Sequence, residues 1–119
     1  MRYLPTLAEL RAARWANRAL SEVRHKLSAV PLSELVIAAP KRLPPSGDRG
    51  VRAVLRLRRP SCLEAALVRQ RWLAAHGVNR EVIIGVGSPS EDFLAHAWIE
   101  GEEDVVCARF SELTRLAPR

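Results

Sequence analysis

The chain has 119 residues, of which 48% are hydrophobic and 27% are charged, and its formal net charge is +6 at neutral pH. This length suits one modest domain with one core, so we expect a single domain over residues 1–119. The sequence has no apolar run near the ~20 residues of a membrane-spanning helix and no apolar stretch typical of a secretory signal, which predicts a cytoplasmic protein without a membrane partner.

The cysteines and histidines do not follow a metal-binding pattern. Two cysteines, Cys62 and Cys107, are too few for a disulfide scaffold, so both are expected to stay reduced. His25, His76 and His96 are scattered, without a Cys-x-x-Cys or His-x-x-x-His spacing. We therefore predict no metal and no other cofactor. The basic charge would suit nucleic acid or an acidic peptide, but it is spread along the chain without a nucleic-acid motif, so no nucleic-acid partner is predicted.

The first predicted element is a long amphipathic helix. Thr6 and Glu9 form a capping-box pattern, which is typical of a helix start. Apolar residues then recur at steps of three and four, which predicts a helix of about five turns. They are Leu7, Leu10, Ala13, Ala16, Leu20, Val23 and Leu27. Such an apolar face is either core or a docking surface for a partner protein.

The middle of the chain separates an N-terminal helical part, residues 1–39, from a predicted catalytic core at residues 51–119. We predict a short helical turn around residues 35–37. Residues 40–50 are rich in Pro and Gly and form a link between the two parts. Helical periodicity resumes at residues 51–57, and Pro60 limits that helix.

A second strong helix start lies at Ser61, because Glu64 follows three residues later. We predict a helix over residues 62–76 that ends at Gly77. After it, a β-branched run at 82–86 and an alternating run at 93–99 predict two strands.

The C-terminal part is predicted to complete a small antiparallel sheet. A polar turn at residues 101–104 leads to a third strand at 105–108, which forms a hairpin with the preceding strand. A final helical turn is expected at residues 111–116. Helices followed by a small antiparallel sheet indicate an α+β fold.

Cys62 and His96 are the candidate catalytic residues. Cys62 takes the first helical position, where unpaired amides and the helix dipole favour a thiolate. Its backbone amide can also stabilise an oxyanion. The His96 imidazole, on a strand, can act as general base, and a thiol with an imidazole is what a cysteine hydrolase or acyltransferase needs. The plainer alternatives are a small buried cysteine and a core histidine with one hydrogen bond.

The group that would orient His96 is left open. Glu100 shares the predicted face of His96 but is roughly 13 Å along the strand. Asp104 and Glu112 are the remaining acidic candidates, and a dyad without any third member is the other alternative.

Four ordered fragments carry a family resemblance. With their spacing, they resemble the transglutaminase-like cysteine proteases of lasso peptide biosynthesis, and more narrowly the free-standing C-terminal leader-peptidase half of the split B-protein. The similarity covers about residues 51–107. The fragments are PSCLEAAL at 60–67, WLAAHGV at 72–78, IGV at 84–86 and AHAWIE at 95–100.

The resemblance implies a transglutaminase-like (papain-like) fold, in which N-terminal helices accompany a catalytic helix packed on a small antiparallel sheet. It also implies that Cys62 is the nucleophile and His96 the base, without a cofactor. The family expects an Asp on the strand after the His, and the nearest aligned positions here are Cys107 and Ala108.

The implied activity is removal of the leader from a ribosomally made precursor peptide. A separate recognition protein holds the leader, and an ATP-dependent cyclase closes the macrolactam ring afterwards. The alternative is a non-catalytic peptide-binding module of the same fold.

Overall fold

Three helices precede a three-stranded antiparallel sheet in the computed structural model, which describes residues 4–87, 95–103, 107 and 110–118. Two short 3₁₀ turns, at Leu32–Glu34 and Pro45–Gly47, lie between the first two helices. This order confirms the α+β architecture. The elements are helices α1 (Leu7–Leu27), α2 (Asp48–Arg58) and α3 (Cys62–Ala75), then strands β1 (Val82–Val86), β2 (Ala95–Ile99) and β3 (Ser111–Leu116).

Helix α1 occupies the predicted range, and its capping box is confirmed. Thr6 Oγ1 accepts a hydrogen bond from the Glu9 amide at 3.2 Å, and the Glu9 carboxylate accepts one from the Thr6 amide at 3.3 Å. The predicted apolar face divides in two, because Leu7 and Leu10 at its first turns are 71% and 55% exposed. The central part of the helix is core, where the predicted residues Ala16, Leu20 and Val23 are buried together with Ala12 and Ala19, which the prediction did not include.

Helix α2 packs against α1 at a glycine. A Cβ placed on Gly50 would overlap the carbonyl oxygen of Glu9 and lie 2.8 Å from its carbonyl carbon. The backbones of the two helices therefore approach more closely than any side chain at position 50 allows.

Gly50→Ala is expected to destabilise the protein, although alanine favours a helix by about 1 kcal/mol over glycine. The overlap with the α1 backbone forces the helices apart and should lower the free energy of unfolding by about 2–4 kcal/mol. Urea denaturation measures this change. Leu57→Ala, at an 81% exposed position of the same helix, is the control and should change stability by less than about 0.5 kcal/mol. A more stable Gly50→Ala protein would contradict the close packing.

The prediction of a helical turn at residues 35–37 is wrong. The helical turn is the 3₁₀ turn at Leu32–Glu34, and the chain then becomes extended. Leu35 and Ile37 are buried, whereas Val36 between them is 48% exposed. An extended backbone directs alternate side chains to one side, so this segment adds two residues to the core without forming a helix.

The sheet has the order β2-β1-β3, with β1 antiparallel to both neighbours. The predicted helical turn at residues 111–116 is therefore wrong, because this segment is β3. The third strand also pairs with β1 rather than forming a hairpin with β2. Of the strand predicted at 105–108, Cys107 lies outside the strands, and the other three residues are outside the described part. Residues 93–94 of the predicted second strand are also outside it.

Helix α3 covers one face of this sheet and also packs on α1. Val68 of α3 and Ala97 and Ile99 of β2 belong to one buried cluster. On its other side α3 runs beside α1, where the Trp15 and Trp72 rings lie 5.6 Å apart. This packing confirms the predicted helix on a small antiparallel sheet and brings the start of α3 to β2.

Candidate active site

Helix α3 begins with a complete capping box, as predicted. Ser61 Oγ accepts a hydrogen bond from the Glu64 amide at 3.2 Å, and Glu64 Oε1 accepts one from the Ser61 amide at 2.8 Å. Arg24 on α1 donates to the same carboxylate at 3.4 Å. The Glu64 charge is thus turned back onto the cap and paired with a cation.

Ser61→Ala should lower the free energy of unfolding by about 1 kcal/mol, because the amide of Glu64 loses its acceptor at the helix start. Thermal unfolding followed by circular dichroism measures the loss. Ser46→Ala, at an exposed position in the second 3₁₀ turn, is the matched control and should be neutral. Equal stability of the two variants would show that the cap does not support α3.

Cys62 is the first residue of α3, and its side chain is exposed. Its sulfur lies against the middle of β2, where the Ala97 amide donates a hydrogen bond to Sγ at 3.4 Å. Exposure rules out the alternative that Cys62 is a buried apolar residue. Cys107, in contrast, is buried.

His96 precedes Ala97 on β2, and its ring packs among aromatic side chains. The ring centroids lie 5.7 Å from Trp98 and 5.2 Å from Phe110. Since side chains alternate along a strand and Ala97 faces α3, the rings of His96 and Trp98 lie on the other face of the sheet. The structure thus brings the Cys62 thiol to the strand of His96, while no hydrogen bond joins the two side chains among the described residues.

A family model described as the transglutaminase-like superfamily matches residues 6–118. The chain belongs to this superfamily. The matched range contains all the helices and strands of the fold as well as the Cys62 and His96 positions. No curated protein sequence matches this transglutaminase-like chain, and no solved structure matches it.

Gly85 and Phe110 lie beside His96 in this transglutaminase-like sheet, and the sequence analysis did not identify either of them as part of the site. Gly85 of β1 pairs with His96, and a Cβ at Gly85 would lie 2.8 Å from Phe110 Cβ and 2.9 Å from the Trp98 ring. The missing side chain lets both aromatic residues close over β1 beside the imidazole. A glycine inside a β-branched run is the available sequence signal, because it often marks such a close approach.

Of the acidic candidates for a third catalytic group, neither Glu100 nor Glu112 forms a hydrogen bond or ion pair with His96. Glu112 pairs with Gly85 on the far side of β1, two strand spacings or about 10 Å from His96. The carboxylates of Glu100 and Glu112 accept hydrogen bonds from Arg115 at 2.9 and 2.7 Å. The hydrogen bond with Glu112 is the main cause that raises the pKa of Arg115. Asp104 lies outside the described residues.

The described residues of the transglutaminase-like chain contain no group of three or more His, Cys, Asp and Glu side chains placed to hold a metal ion. Within the same residues, none of the helices has both the length and the apolar character needed to cross a membrane.

Proposed function

We propose that this chain is a cysteine peptidase that removes the leader from a ribosomally synthesised precursor of the lasso peptide class. One observation carries the proposal. The exposed Cys62 thiol, at the first position of α3, is 3.4 Å from the Ala97 amide, one residue from His96. Membership of a superfamily that includes cysteine peptidases supports the same chemistry.

The proposed reaction proceeds through an acyl-enzyme. His96 takes the proton of the Cys62 thiol, and the resulting thiolate attacks the carbonyl carbon at the leader–core junction, where the backbone amide of Cys62 helps to stabilise the oxyanion. The C–N bond then breaks, and His96 gives its proton to the leaving amine of the core peptide. Water, deprotonated by His96, hydrolyses the thioester, which releases the leader with a free carboxylate and restores the thiol.

His96 requires a side-chain rotation in this mechanism. Its ring is stacked beside Trp98 and Phe110, on the face away from α3. Catalytic hydrogen bonds are often loose before substrate binds and tighten in the substrate complex. We expect the scissile segment to draw the imidazole over the edge of β2 toward Cys62.

A separate leader-recognition protein completes the proposed assembly. The exposed first turns of α1, with Leu7 and Leu10, offer an apolar docking surface outside the core. The released core N-terminus is then available to an ATP-dependent cyclase that closes the macrolactam.

The test combines the protein, a lasso precursor peptide and the recognition protein, with products identified by mass spectrometry. We expect cleavage at the leader–core junction and, with hydroxylamine present, a leader hydroxamate formed from the thioester. Cleavage that yields no hydroxamate would overturn the acyl-enzyme mechanism.

The second candidate is a non-catalytic peptide-binding module of the same fold. It is favoured by the engagement of Glu100 and Glu112 with Arg115, which leaves His96 without either carboxylate. Alkylation of Cys62 by iodoacetamide at mildly acidic pH separates the two. A thiol no more reactive than free cysteine, together with intact precursor, would favour the module.

A further inference from the structure

A groove of about 590 Å³ lies between α1 and the segment at residues 38–43, and it is rich in positive charge. Four exposed basic side chains line it: Arg11, Arg14, Arg18 and Lys41. None of the four makes an ion pair or hydrogen bond with any described residue. Within the described part of the chain, the groove therefore presents four cations that pair with no carboxylate.

Two arginines elsewhere on this surface pair with a carboxylate. Arg52 binds Asp48 at 2.6 Å, and Arg69 binds Glu102 at 2.7 Å. The cations of the groove make no such pair, and Glu22, the one acidic residue among the described residues of the lining, is already engaged.

The Glu22 carboxylate binds the wall of the groove and does not pair with the four cations that line it. Its Oε1 accepts a hydrogen bond from the Ala38 amide at 2.7 Å, and its Oε2 lies 3.8 Å from Lys26 Nζ. The indole nitrogen of Trp15 donates to the Ala38 carbonyl at 3.1 Å. Both backbone groups of Ala38 are thus tied to α1, so the groove is formed before any ligand binds, which lowers the ordering cost of binding.

The arginines of the groove follow one face of α1. Arg11, Arg14 and Arg18 are three and then four residues apart, so neighbouring guanidinium groups repel and weaken the helix. A ligand with carboxylates spaced along it would relieve this repulsion, since each guanidinium can bind a carboxylate through two parallel hydrogen bonds.

The remaining lining favours a peptide over a nucleic acid. Among the described residues, Trp15 is the only aromatic residue that lines the groove, and its ring already packs on Trp72. Single-stranded nucleic acids bind through exposed aromatic faces on which bases stack, and the groove lacks such a series. Its other walls are small or aliphatic: Ala19, Ala38, Ala39 and Leu43.

We infer that this groove binds an acidic peptide segment of a partner protein. The site is separate from the thiol. Trp15 of the groove lining packs on Trp72 of α3. Trp72 is roughly 15 Å from Cys62 along the α3 axis, because ten residues of helix separate them. Binding therefore needs no catalysis, and Cys62→Ala is expected to retain it even if the proposed peptidase activity proves wrong.

The test uses fluorescence anisotropy with the full chain and a fluorescein-labelled synthetic peptide in which glutamate alternates with alanine. Arg14→Glu with Arg18→Glu should weaken binding by about tenfold or more, because repulsion replaces two charge-assisted contacts. The matched control is Arg56→Glu with Arg59→Glu, two exposed positions at the end of α2 and just beyond it with the same change in net charge. It should weaken binding by less than about twofold.

Equal weakening in the two double variants would overturn the proposal, because it would show attraction to net charge alone. Equal binding of a peptide with glutamine in place of glutamate would also overturn it. Tighter binding of a single-stranded oligonucleotide, lost in the groove variant, would assign the groove to nucleic acid instead. Should the α1 variant unfold, Lys41→Glu on the opposite wall is expected to weaken binding without altering a helix.

Discussion

Cys62→Ala is expected to abolish precursor cleavage, with a loss of at least about 10⁴-fold in rate. Alanine has no nucleophile, so no thioester forms, and the backbone amide at position 62 has no oxyanion to stabilise. The side chain is exposed, so the variant should fold as the wild type does. Single-turnover cleavage with the recognition protein, followed by mass spectrometry, measures the rate.

Cys107→Ala is the matched control for this experiment. It removes the other cysteine of the chain, which is buried and lies outside the strands, and should retain cleavage. Cleavage that survives Cys62→Ala but is lost in Cys107→Ala would mean that the wrong thiol has been assigned. Unchanged thermal unfolding of the Cys62→Ala variant would show that it loses cleavage because the nucleophile is missing and not because the protein is unfolded.

His96→Ala is expected to reduce cleavage by about 10²–10⁴-fold, the range typical of a lost general acid–base group. The leaving amine then departs without a proton donor, and water attacks the thioester without a base. Single-turnover cleavage of the precursor provides the readout.

The controls for His96→Ala must separate the loss of acid–base chemistry from the loss of ring packing in the sheet. His96→Gln keeps a polar side chain beside Trp98 and Phe110 and should be nearly as inactive as alanine. His25→Ala, at an exposed position in the last turn of α1, should retain activity. His76 is unsuitable, because its ring nitrogens contact the carbonyls of Trp72 and Leu43 at 2.8 and 2.7 Å. Wild-type rates in His96→Ala would remove His96 from the mechanism.

The starts of α1 and α3 could be predicted because their signals are local. Thr6 with Glu9, and Ser61 with Glu64, form capping boxes whose four hydrogen bonds join residues three apart. The position of Cys62 at the start of α3 follows directly from the second box. The α+β order also followed from periodicity, since helices and strands differ in the spacing of their apolar residues.

The third strand could not be predicted from its own residues. Residues 111–116 are mostly exposed and lack the alternating burial of a core strand. They form β3 because β1 offers them a free edge, and a helix of so few residues has little stability of its own. The close contact at Gly50 could not be predicted from local sequence either, because it depends on the Glu9 carbonyl of another helix.

The surroundings of the two candidate catalytic residues also depend on distant partners. Local signals identified Cys62 and His96 as residues of interest, but the Ala97 amide at the sulfur and the Phe110 ring at the imidazole come from other parts of the chain. Capping and periodicity act within a few residues, and they determine where α1 and α3 begin and which fold class the chain adopts. Sheet order, the contact between α3 and β2, and the direction of the His96 ring arise when elements far apart in sequence bury their apolar faces together, so they emerge only in the packed molecule.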